Sequence, residues 1–268
     1  MKVNYLMKLR KTLIVTLVTT CAIQAYAQQV QRKNFVSCPV VQDTKTVPCW
    51  LAEYGGELYY LGIQTDISAD FHPPYLGHKV LVEGVVSDEP RICGGIVLKP
   101  VVVSPLLEPD SSCNTILPAV DKYTVPFAPR PPGSSEGTLA FQTPAAETAQ
   151  TTAPQSPFAP KEFSIYYDFD APVTGRHAAI LTQIVDYAEK SEAKRVIVNG
   201  YRGATLLSDK TVLTEREGIA KARADEVADL LQRAGVSKAA IQVTFRGDEP
   251  PKGVDDWRSR RTTVRVEP

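Results

Sequence analysis

Of the 268 residues, 43% are hydrophobic, enough to fill globular cores, and 30 basic side chains are matched by 30 acidic ones. That balance lacks the basic footprint with which nucleic-acid-binding chains hold phosphates. Beyond the amino-terminal segment, no run approaches the ~20 apolar residues that cross a membrane as a helix.

The chain opens on an address. Lys2, Lys8, Arg10 and Lys11 are followed by the apolar run Leu13 to Val18 and then by Ala25-Tyr26-Ala27. This is the pattern of a secretory signal peptide over 1–27, cleaved before Gln28. Met7 is an alternative start, because MKLRKTLIVTL is itself a complete signal opening. The apolar run is too short for a spanning anchor. A lipid-modified Cys21 is the other alternative, although Thr20 stands where a small residue normally precedes such a cysteine. Removing the leader takes away four positive charges and no negative ones, so 30 − 4 = 26 basic residues face 30 acidic ones, a net of −4.

Cys38, Cys49, Cys93 and Cys113 remain, all near the front of the mature chain. In an oxidising compartment they form a disulfide framework with three pairings open. Sequence neighbours, Cys38–Cys49 and Cys93–Cys113, are the expected pairs. VPCWLAEY, ELYYLGIQ, HKVLVEGVV and GIVLKPVVV read as strands, with a tight turn at Gly55-Gly56 and a bulge or barrel corner at Gly84. The pattern over 28–113 resembles a small oligonucleotide/oligosaccharide-binding (OB) barrel.

Residues 114–160 are rich in Pro, Ala, Thr, Ser and Gln and read as a disordered linker. The alternative for its front part is an arm packed on the barrel through Ile116, Leu117, Val120, Tyr123 and Phe127. From 161 to 268 strands and helices alternate. FSIYYDFD is a strand. Residues 174–190 place Ile180, Leu181, Ile184, Val185 and Ala188 on one helical face, capped by Thr174. RVIVN is a second strand. A helix over 217–234 carries Ile219, Val227, Leu230, Leu231 and Ala234 and stops at Gly235. IQVTFRG and RRTTVRVEP supply two more strands, with room for a short helix near Asp255–Arg260. The fold class is α+β: a small all-β, OB-like barrel followed by a β-α-β-α-β-β domain with its helices on one face.

In that order, FSIYYDFD, VIVNGY, ARADEVADLL…GV and RSRRTTVRV resemble the OmpA-like C-terminal domain over about 105 residues. The resemblance implies non-covalent binding of peptidoglycan through the diaminopimelate of its stem peptide. That residue ends in a zwitterion, so a carboxylate must meet its ammonium and a guanidinium its carboxylate, for which the planar Arg fork is suited. Arg223 stands at the family's arginine position. The family's aspartate does not recur: Arg202-Gly203 follow Gly200-Tyr201, and the segment up to Arg223 is about five residues longer than usual. Asp209, inside that insertion, is the acid expected to substitute, with Glu215 and Glu217 as further candidates. Arg260 and Arg261 match the family's paired arginines and are candidate ligand contacts, with pairing to Asp255 or Asp256 the alternative. For Arg223 the alternative is a surface ion pair with Glu226 or a neighbouring acid.

No catalytic constellation appears. There is no G-x-S-x-G elbow, Cys/His pair or HExxH. Asp168 and Asp170 fit the strand-end pattern better than a carboxylate pair. His72 and His78, near Asp70, lack the support a metal site needs, and His177 reads as an exposed helix-start residue. Trp50, Tyr59 and Tyr60 read as barrel packing, with ring stacking on a ligand the alternative. The sequence therefore predicts a non-enzymatic protein without metal or cofactor, in the periplasm and associated with the cell wall or outer membrane. Its expected partners are peptidoglycan and, through the barrel, another envelope component. The alternative is an OmpA-like fold that has lost wall binding and serves as a protein-interaction scaffold.

Overall fold

The computed structural model describes residues 31–63, 73–123, 125, 158–173, 178–247 and 250–268. The signal peptide, Cys21, Asp70, His72, Phe127, Thr174, His177 and most of the Pro-rich segment lie outside the described residues.

The front of the described chain is all-β. Its strands are β1 (Arg32–Ser37), β2 (Pro39–Gln42), β3 (Cys49–Tyr54), β4 (Glu57–Gly62), β5 (His78–Val86), β6 (Ile96–Pro109) and β7 (Thr115–Leu117). β3 and β4 form the expected hairpin, and Gly55 and Gly56 both take positive φ, +61° and +78°, in its turn. The ladder runs β1-β5-β6-β4-β3-β2-β7. All neighbours are antiparallel except β4/β6 and β2/β7. β1 and β2 are separated by Cys38 alone, so one extended stretch pairs with β5 through its first half and with β3 through its second. The sheet thereby returns on itself. The register slips between Gly84 and Val86, at the glycine that interrupts the β5 run.

Phe35, Ala52, Tyr59, Leu61, Val80, Val82 and Leu98 fill this sheet. Tyr59 is buried against Phe35, ring centroids 5.3 Å apart. Trp50 and Tyr60 pack at the edges of its two apolar clusters, as the packing reading expects. β7 falls within the segment read as linker. It pairs with β2, and Leu117 and Tyr123 pack on the cluster around Cys49, Leu51 and Cys93. The front of that segment is therefore the packed arm, although Ile116 stays exposed.

The disulfides differ from the neighbour pairing. Cys38 joins Cys113 and Cys49 joins Cys93, with Cα–Cα distances of 4.8 and 6.4 Å. The reason is the sheet. Cys38 lies at the head of β2 and Cys113 just before β7, and these two strands are ladder neighbours. Cys49 opens β3, and the turn holding Cys93 packs over its buried end.

The second region carries β8 (Lys161–Tyr166), α1 (Ala178–Lys190), β9 (Arg195–Tyr201), β10 (Ala204–Leu206), β11 (Val212–Thr214), α2 (Ile219–Arg233), β12 (Ile241–Arg246) and β13 (Arg261–Glu267). The four-stranded sheet runs β12-β9-β13-β8, with β12 parallel to β9 and the other pairs antiparallel. Both helices send their apolar faces to it: Ile184 and Ala188 from α1, and Ala224, Val227 and Leu231 from α2, meet Phe163, Ile165, Val196, Val198, Val264 and Val266. A 3-10 turn at Asp256–Ser259 occupies the place foreseen for a short helix. Between β9 and α2 the chain folds into the β10/β11 hairpin, Ala204 opposite Thr214.

The two regions belong to one compact unit, Gln31–Pro268. β5 shows the contact. Val80 and Val82 face the first core, yet Leu81 and Glu83 on the opposite face are buried too.

Candidate functional site

α2 delivers Arg223 side-on to the loop that leaves β8, and the guanidinium has no exposure to solvent. All five of its N–H donors find acceptors. Nε donates to the Ala171 carbonyl at 2.9 Å; Nη1 to the Tyr201 carbonyl at 3.1 Å and Glu215 Oε2 at 2.8 Å; Nη2 to the Asp168 carbonyl at 3.3 Å and Glu215 Oε1 at 2.5 Å. The ring of Tyr167 lies beneath, 4.6 Å from the guanidinium carbon, and its own hydroxyl donates to Thr262. Burial pushes the Tyr167 phenol up to about 12.

Glu215, just past β11, is as buried as its partner. Its two oxygens also accept backbone amides: Oε2 from Gly203 at 2.8 Å and Oε1 from Asp170 at 2.9 Å. Asp170 stands at φ +58°, a left-handed conformation Asp tolerates. Guanidinium fork and two amides thus form a four-donor cradle of the kind that selects a carboxylate, and the carboxylate in it comes from the residue that follows β11. Asp170's own carboxylate accepts the Arg216 amide at 2.6 Å. Burial, and then the neighbouring Glu215, push it above the ordinary aspartate range, partly offset by that amide.

Asp209 is not the companion of Arg223. It sits exposed near the hairpin tip, where its carboxylate accepts the Thr211 amide and hydroxyl at 2.9 and 2.7 Å. Those bonds, the hydroxyl first, lower its pKa. An Asx-type turn satisfies it locally. Glu217 is exposed. Nor does Arg223 form a surface pair with Glu226, which lies 3.8 Å from Arg233.

Arg260 is also fully buried, and it meets neither Asp255 nor Asp256. Its Nη2 donates to Glu83 of β5 at 2.5 Å and its Nη1 to the Thr205 hydroxyl at 3.0 Å. Thr205 in turn donates to the other Glu83 oxygen at 3.0 Å. Asp255 pairs with Arg32 of β1 at 3.0 Å, and the carboxylate of Asp256 accepts the amides of Leu206, Lys252 and Gly253. Arg261 is half-buried, stacked 4.3 Å over the Tyr201 ring, and donates to the Arg258 carbonyl. Of the candidate ligand residues, Arg223 and Arg260 are thus held inside the fold, while Asp209 and Arg261 are held apart from them.

Two partners escaped the sequence reading. Glu83 lies in the apolar run HKVLVEGVV, and a lone carboxylate in a strand buried on both faces was the available signal. Asn34 of β1 gave no comparable sign. His78 hydrogen-bonds the Leu106 carbonyl through Nδ1 at 2.8 Å. Beside the cradle, a cavity of about 270 Å³ opens where the two regions meet, lined by Lys79, Leu107, Asp110, Phe169, Asp170 and Thr214 among others.

Residues 166–263 match the OmpA family model. The C-terminal module is OmpA-like. Among similar solved structures is the OmpA-like domain of FopA1 from Francisella tularensis, at 18% identity, covering 41% of this chain and 73% of that one, TM-score 0.33. The peptidoglycan-associated lipoprotein from Burkholderia pseudomallei is similar at 23% identity, covering 38% and 87%, TM-score 0.31. The cell wall anchor of the type VI secretion system from Pseudomonas aeruginosa is similar at 20%, covering 40% and 81%, TM-score 0.31. No curated protein matches the chain. Arg223 and Gly203 both lie within the matched span. A Cβ at Gly203 would stand 2.4 Å from Ser259 Oγ and 2.7 Å from Arg260 Cγ, so Ser259 and the buried Arg260 leave no room for a side chain there.

Proposed function

We propose that this is an exported envelope protein whose OmpA-like module associates with peptidoglycan once its stem-peptide site is open, and that its own Glu215 holds that site closed in the resting chain. One observation carries the reading: the four-donor cradle around a carboxylate, built on the arginine that the OmpA family resemblance assigns to diaminopimelate. Glu215 stands in for the ligand's carboxylate. The cavity at the junction reaches Asp170, whose amide is one of the cradle's donors. The β module, an OB-like barrel in this reading, faces another envelope component. The signal peptide would carry the chain to the periplasm, associated with the wall or the outer membrane. No catalytic step is assigned to it.

The test compares full-length wild type with Glu215→Ala. Removing one partner of a buried pair destabilises by about 3–5 kcal/mol, so Glu215→Gln, which keeps the side chain's shape, is carried in parallel. Wild type is expected to stay in the supernatant when purified sacculi are pelleted. The two variants are expected to pellet with them and to be released by free diaminopimelate. Acetate, a carboxylate small enough for the vacated cradle, should raise the Tm of Glu215→Ala and leave wild type unchanged. Folded variants that ignore both acetate and sacculi would overturn the reading.

Gly203 favours a second reading. With no acid there, nothing in the family's position meets the ligand's ammonium, and the module would act as a protein-interaction scaffold that has lost the wall. It predicts acetate rescue of Glu215→Ala without sacculus binding.

A further inference from the structure

The β10/β11 hairpin touches two things at once. At its base, Gly203 and Glu215 face each other across the ladder, with the Glu215 amide donating to the Gly203 carbonyl at 3.1 Å, and both contribute to the cradle. Toward its tip, the hairpin is clamped to β1 by a single residue, Asn34. The Asn34 amide donates to Ser208 Oγ at 3.0 Å, and the Ser208 amide donates to the Asn34 carbonyl at 2.7 Å. Asn34 Nδ2 reaches the Leu206 carbonyl at 3.1 Å and the Gly253 carbonyl at 3.2 Å. Midway along β10, Thr205 donates to Glu83 of β5. Ala204 and Thr205 are buried, and each strand is only three residues long. A hairpin this short cannot shift at one end and stay still at the other.

We infer that docking of the β module on the β10/β11 hairpin is what holds Glu215 in the carboxylate cradle, so that undocking opens the site. The inference rests on the reading of the cradle given above and adds its regulation. Coupling of this kind needs an element with two arrangements that both sites bias. The hairpin is that element: docked and closed, or released with Arg223 open to an external carboxylate. The regulated ligand is of the carboxylate class.

Amide hydrogen exchange on the full-length chain tests this without any ligand. Asn34→Ala removes both side-chain bonds and Ser208→Ala removes the hydroxyl acceptor, and neither residue touches Glu215 or Arg223. In the double variant, the Gly203 and Asp170 amides, which donate to Glu215, should exchange about tenfold faster than in wild type, together with the hairpin. Ser208→Ala alone, a milder change, should show the same order at smaller amplitude. If the hairpin amides speed up while Gly203 and Asp170 stay protected, the coupling is wrong. The sacculus assay separates this outcome from failure of the cradle reading. Pelleting of Glu215→Ala, but not of a double variant whose hairpin is shown to be loosened, sinks the coupling alone. Fast exchange at Gly203 with no pelleting of Glu215→Ala sinks the wall-binding reading and leaves the coupling standing.

Discussion

The OmpA-like module buries two arginines against two glutamates, and the two pairs are built differently. Arg223 meets a glutamate eight residues away through both prongs of its fork, spends its remaining donors on three backbone carbonyls, and shares its partner with two backbone amides. Arg260 reaches a glutamate 177 positions away through one nitrogen, with Thr205 as a shared neighbour and the Tyr167 carbonyl at a long 3.5 Å. The first pair sits in surroundings shaped around a carboxylate. The second is a bridge between modules. Buried pairs add little net stability over apolar packing but are severe to break, so each fixes a geometry: Arg223 that of a loop, Arg260 that of a docking face.

Cutting each pair from the arginine side separates them most. Arg223→Ala leaves Glu215 charged and buried and takes a donor from three carbonyls, a loss of about 3–5 kcal/mol by the usual penalty for a broken buried pair. Arg260→Ala leaves Glu83 charged too, but the modules can part and let water reach it. Its loss is expected to be smaller and to appear as undocking. Urea unfolding followed by tryptophan fluorescence checks both, because Trp50 lies in the β module and Trp257 beside Tyr166 in the OmpA-like one. A single transition at lower urea is expected for Arg223→Ala, and two separated transitions for Arg260→Ala. If Arg260→Ala is the more destabilised and still unfolds in one step, the distinction between a local and a bridging pair does not hold.

Gly203 is where the pairs meet: its amide donates to Glu215, and Ser259 and Arg260 crowd the space a side chain there would need. Gly203→Ala should disturb both at once, because the new methyl would stand 2.4 Å from Ser259 Oγ, 2.7 Å from Arg260 Cγ and 3.2 Å from the Arg260 amide nitrogen. Overpacking of this kind typically destabilises by about 1–3 kcal/mol. The hairpin amides and the Arg260 amide should lose exchange protection together. Loss at only one of the two would mean that the pairs are independent.

Much of this fold is legible in the chain, because period and punctuation agree with the packing. The α1 face, most of the α2 face, the Gly55-Gly56 hairpin and the β5 and β6 runs fall where periodicity puts them, although α2 ends at Arg233 and leaves Ala234 exposed beyond it. What escaped is what depends on distant partners. Disulfide pairing follows the strand ladder, not sequence distance, so Cys38 found Cys113. β7 was hidden by a polar, Pro-bearing context and exists because β2 offers it an edge. At the site, Arg223 was legible from its motif, but the acid beside it was not. Asp209 and Glu215 lie in the same stretch between β9 and α2, and no local pattern tells which of them turns inward: Asp209 falls near the hairpin tip and Glu215 at its base.

The smallest effect concerns Asp170, whose carboxylate stands near Glu215 while its amide serves the cradle. Burial raises its pKa above 3.8, and Glu215 adds to the rise. Between 3.8 and the raised value, the folded chain keeps a proton that the unfolded chain has lost. Stability attributable to this group therefore falls as pH rises through that window, and the deficit persists at neutral pH. Asp170→Asn keeps an acceptor for the Arg216 amide and removes the charge. It should unfold at slightly higher urea than wild type at pH 7, and its advantage should shrink to nothing as the pH drops below 3.8. Much of the group is open to water, so screening keeps the difference small. An advantage that instead grows on acidification would mean that the Asp170 charge stabilises the closed cradle, and the local pair would then rest on three charges and not two.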